Sequence, residues 1–284
     1  MVKKHYKKNN LKTVSSKIGV QIFLFVLAII TLIPFLYIIL MSIGKDVISV
    51  NSKLPTEFTL NNFQNLFKAT KFLNWMKVSF LVSGTTLVIS VVLVSICVYV
   101  ISRLKFYGRD RLFNSLLLIQ IFPLTLSMVS IFSIFANFGL LNKPLGLILI
   151  DSTMASISLV MVAKGYFDTI PYEIDEAAKM DGANLRQILL KINLPLAKPM
   201  LAIVAIQSFV LSYNEYTIAS TVMTDNIENM PLAVGLQSMI VGQYGINWGI
   251  YCAGAILGSI PMIILFYALQ KYFIGGLTEG GVKE

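Results

Sequence analysis

The chain has 284 residues, 56% of them apolar and 13% charged, and its mean hydropathy is +0.76. A soluble domain carries roughly 25% charged residues, so the composition excludes a soluble enzyme, a disordered chain and a nucleic-acid module despite the net charge of +9. Two cysteines, Cys97 and Cys252, exclude a disulfide framework, and one histidine, His5, excludes a histidine metal site or a Ser-His-Asp triad.

The chain opens on a basic segment, residues 1–19, with Lys3, Lys4, Lys7, Lys8, Lys12 and Lys17. About 20 mainly apolar residues carry a helix across the hydrocarbon core. Six stretches reach or approach that length: residues 20–43, 78–101, 112–135, 145–163, 200–221 and 248–269. They predict an all-α, polytopic membrane protein with a six-helix transmembrane domain over 20–273 and a Gly-rich tail over 274–284. The first stretch is too long for a signal-peptide core of about 7–15 residues, and no A-x-A site follows it, so it is expected to remain as a span. Pro34, Pro123 and Pro261 fall inside spans. Each removes a backbone donor; they fit either a bundle that opens and closes or the ordinary abundance of proline in membrane helices.

Orientation follows the lysines and arginines. Seventeen of the 23 fall on the side of the two termini and six on the other, which predicts that both termini are cytoplasmic. The positive charge then anchors the chain to an anionic inner leaflet of membrane lipid. In the first outer loop, Phe63, Leu66 and Phe67 stand at i, i+3 and i+4 and predict a short helix. The second outer loop, 224–247, ends in Val-Gly-Gln243-Tyr244-Gly-Ile-Asn. That stretch suits a polar partner or a sugar, or is a solvated turn.

Carboxylates within spans face a pathway or a partner by default. Asp151 lies early in the fourth stretch, and Asn214 and Glu215 lie late in the fifth. They are candidate pathway residues near the outer rim, or groups satisfied by water and neighbouring helices.

The segment 168–197 lies between the fourth and fifth spans. Pro171 is expected at the first helical position, and Glu173, Asp175 and Glu176 favour the helix's positive end. Ile170, Ile174, Ala177 and Ala178 would share one face. Asp181-Gly182 is a turn signal. Asn184 with Gln187 three residues on is a capping-box pattern, and Leu194-Pro195 ends the second helix. The prediction is helix–turn–helix outside the lipid. A small-residue face at Ala177 and Ala178 could enter a partner's groove, with Glu176 bonded to an arginine on its wall. The bland alternative is a helix lying on the membrane surface.

Glu176-Ala177-Ala178, three residues, Gly182, nine residues, Ile192, one residue and Leu194-Pro195 resemble the EAA signature of ABC importer permeases at every defined position. Lys164-Gly165-Tyr166-Phe167, Ile121-Phe122-Pro123, Pro231-Leu232-Ala233-Val234-Gly235 and the segment 276–283 are similar to the shorter permease of maltose-type oligosaccharide importers. The resemblance implies a type I importer permease fold in a bacterial cell membrane. It further implies a second homologous permease, two cytoplasmic ATPases that bind the ATP and magnesium, and an extracytoplasmic sugar-binding protein. On that basis Glu176, Ala177, Ala178 and Gly182 would dock an ATPase. The tail residues Thr278, Glu279, Gly280 and Gly281 would reach between the ATPases. Gln243 and Tyr244 would contact the binding protein, although residues 242–247 depart from the family there. The substrate implied is a maltodextrin-like oligosaccharide moved by alternating access.

No G-x-x-x-x-G-K-[ST] loop occurs, and Gly44-Lys45-Asp46 holds the sole Gly-Lys pair. Phosphate cradling needs that loop, so this chain is expected to be a transport subunit without enzymatic activity or cofactor of its own. The rivals are an ion-coupled secondary transporter using Asp151 and Glu215, and a non-transporting membrane scaffold.

Overall fold

The computed structural model describes residues 3–45, 47, 54–224, 228–241 and 247–279, of which 3–16 and 273–279 are described as backbone only. The described residues are helical apart from turns and a single bridge between Gly44 and Phe58. The helices are α1 (Lys3–Ser42), α2 (Asn61–Ala69), α3 (Phe72–Arg103), α4 (Arg109–Ile121), α5 (Met128–Asn137), α6 (Pro144–Phe167) and α7 (Tyr172–Met180). Next come α8 (Leu185–Gln187), a π-wound turn (Ile188–Asn193), α9 (Leu194–Leu196), α10 (Lys198–Tyr213), α11 (Thr217–Val222), α12 (Leu232–Val241) and α13 (Trp248–Glu279).

Among the described residues, four helices are unbroken and long and apolar enough to cross a bilayer: Lys17–Ser42 within α1, α3, α6, and Trp248–Tyr272 within α13. The fourth predicted stretch, the shortest in sequence, is thus a full span of 24 residues. The third is not continuous, contrary to expectation. It breaks after α4, and the chain to Asn137 leaves at 83°. Pro123 supplies the reason: Phe122 before it is extended (φ −75°, ψ 122°), because proline's ring clashes with a helical predecessor. Pro34 and Pro261, by contrast, sit inside continuous helices. The fifth stretch is divided between α10 and α11 by Asn214–Tyr216.

The centre of the bundle is α3 packed on α6, with α10 against both. Small hydroxyl residues line this seam: Ser83, Thr86, Ser90, Ser152 and Ser208 are buried, and Ser90 Oγ donates to the Ser152 carbonyl. Without a hydrophobic drive between helices in lipid, small residues allow the close approach that dispersion requires. Gln120 ties α4 to α6 through its amide and the Ile157 carbonyl, 2.9 Å. Among the long helices, α1 packs chiefly on α13. Its residues from Lys17 to Leu36 are exposed, a surface made for lipid or another membrane chain.

At the α2 end, the expected short helix forms with Leu66 fully buried and Phe67 half exposed. Asn62 donates to the Ser42 and Gly44 carbonyls, pinning α2 to the end of α1. The second outer loop is not all loop, contrary to expectation. It contains α12, started by a bond from the Leu232 N–H to Ser79 Oγ, 2.7 Å. Gly235 allows this helix to lie against the buried Trp75: a Cβ there would stand 2.2 Å from the indole. At the other end of the bundle, α13 runs on through Gly275 and Gly276 to Glu279. The predicted tail therefore begins as helix, since each residue added to an existing helix gains a backbone bond.

Candidate functional site

The segment after α6 forms the expected helix–turn–helix. Pro171 is the N-cap rather than the first helical residue, in extended conformation (φ −55°, ψ 135°). Glu173 and Asp175 occupy the first turn of α7, favourable against the helix dipole. The helix ends in a Schellman turn: the Ala183 N–H reaches the Ala178 carbonyl (2.9 Å) and the Gly182 N–H that of Lys179 (3.0 Å). Gly182 has φ +83°, which side-chain-bearing residues avoid. The capping box is complete: Gln187 N–H to Asn184 Oδ1 is 3.0 Å, and Asn184 N–H to Gln187 Oε1 is 2.9 Å. The second helix then widens into a π turn, and the chain bends by 80° between Leu196 and Lys198 to enter α10.

The buried face of α7 differs from the one periodicity suggested. Its buried residues are Asp175 and Ala178, while Ile174, Glu176 and Ala177 are exposed. Ala178 packs with Ile170, Phe167, Ile188 and Tyr99 in the chain's own core. A charged residue outranks an isoleucine on the inner face because its partners are there. Asp175 Oδ2 lies 2.9 Å from Arg103 Nε, with side chains 2% and 6% exposed. Asp175 Oδ1 accepts from Asn193 Nδ2, 2.9 Å. Arg103 also donates from Nη2 to the Ile170 carbonyl, 2.8 Å, and lies over the rings of Phe167 and Tyr172. Tyr99, one turn back on α3, donates to the Leu185 carbonyl. Sequence reasoning missed this cluster. Its signals were present, an arginine at the end of a span and an aspartate next to Glu176, but nothing in spacing pairs residues 72 positions apart.

Of the docking candidates, Glu176, Ala177 and Gly182 are thus outward or at the surface, and Ala178 is inward. The exposed side of α7 offers Glu173, Ile174, Glu176, Ala177 and Met180, the last 88% exposed. Thr278 and Glu279 close α13 as backbone only, and Gly280, Gly281, Gln243 and Tyr244 lie outside the described residues.

The intramembrane carboxylates meet at a second place. Asp151 is buried on α6 and accepts from Ser212 Oγ on α10, 2.6 Å. Glu215 sits in the α10–α11 break and takes the Ile218 and Ala219 N–H groups on its two oxygens, at 2.7 and 2.8 Å. A break in a span frees backbone donors that lipid cannot satisfy, and Glu215 satisfies two of them. Both carboxylates line a cavity of about 160 Å³ with Leu124, Met154, Ser158 and Ile218 among its walls. Asn214 stands apart: it is exposed, and its amide bonds the Val210 carbonyl of its own helix. No three His, Cys, Asp or Glu side chains group as metal ligands among the described residues.

Residues 100–278 match the family described as binding-protein-dependent transport system inner membrane component. The chain is 36% identical over 226 residues to the maltodextrin transport system permease protein MdxG of Bacillus subtilis, covering 80% of this chain and 81% of that protein. It is 33% identical over 243 residues to the galactooligosaccharides transport system permease protein GanQ of the same species, covering 84% and 85%. It is 35% identical over 238 residues to the maltose/maltodextrin transport system permease protein MalG of Vibrio vulnificus, covering 81% and 80%. Among solved structures it resembles a chain of a bacterial ABC transporter involved in the import of the acidic polysaccharide alginate. The TM-score is 0.77 at 25% identity, over 92% of this chain and 98% of that one.

Fold and site together define an integral membrane transport subunit. The chain belongs to the family of binding-protein-dependent transport system inner membrane components, the permeases of ABC importers, and is a multi-pass protein of the bacterial inner membrane. It has the type I permease fold and is not an enzyme; ATP hydrolysis falls to a separate chain. Permeases of this family work with an ATPase, a substrate-binding protein and a second permease.

Proposed function

We propose that this chain is one of the two permeases of an oligosaccharide importer, with a maltodextrin-like substrate, moved between inward- and outward-facing states by two ATPases. The observation that carries the mechanism is the α7–α9 element. Its outer face carries Glu173, Ile174, Glu176, Ala177 and Met180, its central turn is fixed by the end of α7 and the capping box of α8, and it is fastened to α3 by a buried ion pair. Glu176 and Ala177 on the outer face are the contact for an ATPase groove, while Gly182 shapes the turn and Ala178 holds the helix to the bundle. Both termini and this element face the cytoplasm, as the distribution of basic residues favours. The binding protein meets the opposite end, at α2, α12 and the residues around Gln243 and Tyr244. The tail beyond Leu277, including Thr278, Glu279, Gly280 and Gly281, extends toward the ATPase pair. ATP and magnesium are held by the ATPases, because this chain has no phosphate-binding loop.

The substrate class rests on the relatives, whose names share oligosaccharides of glucose or galactose. Asp151 and Glu215 form part of the pathway wall, acting as fixed acceptors that hold α6, α10 and α11 in shape. The ion-coupled alternative has no support in the relatives. Glu176→Lys in the assembled complex tests the reading: it should release the ATPase and abolish uptake. Retained ATPase with normal uptake would overturn it. Uptake of labelled maltotriose against a galactooligosaccharide identifies the substrate, and transport of neither would refute the oligosaccharide assignment.

A further inference from the structure

Helix α7 has two buried residues, Asp175 and Ala178. Ala178 supplies a methyl contact, so the directional attachment of α7 to the bundle is the Asp175 carboxylate. Both of its oxygens are engaged, one by Arg103 and one by Asn193. Arg103 is the last residue of α3. That helix has 32 residues and is therefore about 48 Å long, longer than the hydrocarbon core of about 30 Å. Its far end carries Trp75 and Ser79, which hold Gly235 and the start of α12. One rigid rod therefore joins the docking element to the opposite surface. Asn193 ends the π-wound turn that leads through α9 into α10, so the same carboxylate also holds the segment by which the chain enters that central helix.

The polar cluster is not what stability alone would select. A buried ion pair is often matched or exceeded by apolar residues of similar volume. Here, moreover, the pairing is incomplete. The Arg103 Nε–H is close to Asp175 but poorly aligned with it, and Asn193 Oδ1 has no hydrogen-bond partner. A charged node with unspent bonding capacity has a second arrangement open to it that an apolar plug lacks. Resting on the docking role of α7 given above, we propose that Asp175, held between Arg103 and Asn193, is the positioning residue that passes displacement of α7 to α3 and α10, coupling ATP hydrolysis to opening of the pathway. Asp175 touches neither substrate nor ATPase; it acts through the helices it joins.

The test uses the whole complex in liposomes and reads three quantities: ATPase retained on purification, melting temperature, and ATP hydrolysed per sugar imported. Asp175→Asn keeps the size and the bond to Asn193 but removes the charge. It should keep the ATPase bound and raise ATP per sugar about tenfold, within the range of coupling changes from single network residues. The double variant Arg103→Met with Asp175→Leu should melt like the parent yet lose coupling as Asp175→Asn does. Normal coupling in the apolar double variant would overturn the inference by showing a merely structural role. So would an unchanged ratio in Asp175→Asn, or loss of the ATPase from it. If the double variant fails to assemble, Asp175→Asn decides alone. Glu176→Lys, measured in parallel, separates the two readings: if it leaves the ATPase bound and uptake intact, the docking reading fails whatever Asp175 does.

Discussion

The turn between α7 and α8 offers a clean test of backbone conformation, because Gly182 is crowded by nothing. No heavy atom lies within 4 Å of the position a Cβ would take, so a substitution there meets a torsional penalty and no clash. The left-handed region costs an alanine about 1–2 kcal/mol. Restricting the unfolded chain returns about 0.4–1 kcal/mol of that, leaving a net loss of about 1 kcal/mol, or roughly fivefold in the local opening equilibrium. Amide exchange reads it directly at the two N–H groups the turn protects, Gly182 and Ala183, whose acceptors are Lys179 and Ala178. Gly182→Ala should speed exchange at both positions about fivefold, and Gly182→Asn should fall between alanine and the parent because asparagine tolerates this region. Gly182→Val should be worse than alanine. Equal exchange in glycine, alanine and valine forms would refute the assignment of this residue as the conformational pivot of the docking element.

Other substitutions follow from the same geometry. Asn184→Ala removes the N-cap of α8 and should destabilise the element by about 1 kcal/mol, read as a weaker hold on the ATPase; Asn184→Ser should recover most of it. Gly235→Ala drives a methyl into the Trp75 ring and should cost about 1–3 kcal/mol, lowering the melting temperature of the complex, with partial relief from Trp75→Leu in the same chain. Asp151→Asn retains an acceptor for Ser212 and should leave ATP-driven uptake within about twofold. Complete loss, together with sensitivity to a protonophore at constant ATP, would favour an ion-coupled mechanism instead. Lys71 lies 2.6 Å from Glu228 and, by hydrogen bond and charge, holds its carboxyl below the usual range. That link is present above the ordinary glutamate range and is lost as pH falls through the lowered value. Since both side chains of this pair are about half exposed and such surface pairs contribute little, Glu228→Gln at neutral pH should leave the melting temperature unchanged.

The local elements were legible because their causes are local. Run length announced the membrane spans, the pairing of Asn184 with Gln187 announced the start of α8, and Asp181-Gly182 announced the turn. The cap and the turn depend on residues within about one helical turn of one another, and each span on one continuous run. The spacing from Glu176 to Pro195 also carried the family. Breaks inside the spans were less legible. Pro34, Pro123 and Pro261 look alike in sequence, yet of the three only Pro123 ends a helix here.

Composition and order therefore determined that this protein lives in a membrane, crosses it repeatedly and carries a two-helix element between its fourth and fifth spans. Only the tertiary structure decided which side of that element is free. A helix of small and acidic residues has no strongly preferred face of its own. Its inner face was selected by Arg103 and Asn193, brought from distant segments to a site where an unpaired carboxylate could not remain buried. That selection turned Ala178 inward, left Glu176 and Ala177 outside, and put Asp175 at the junction of three helical segments.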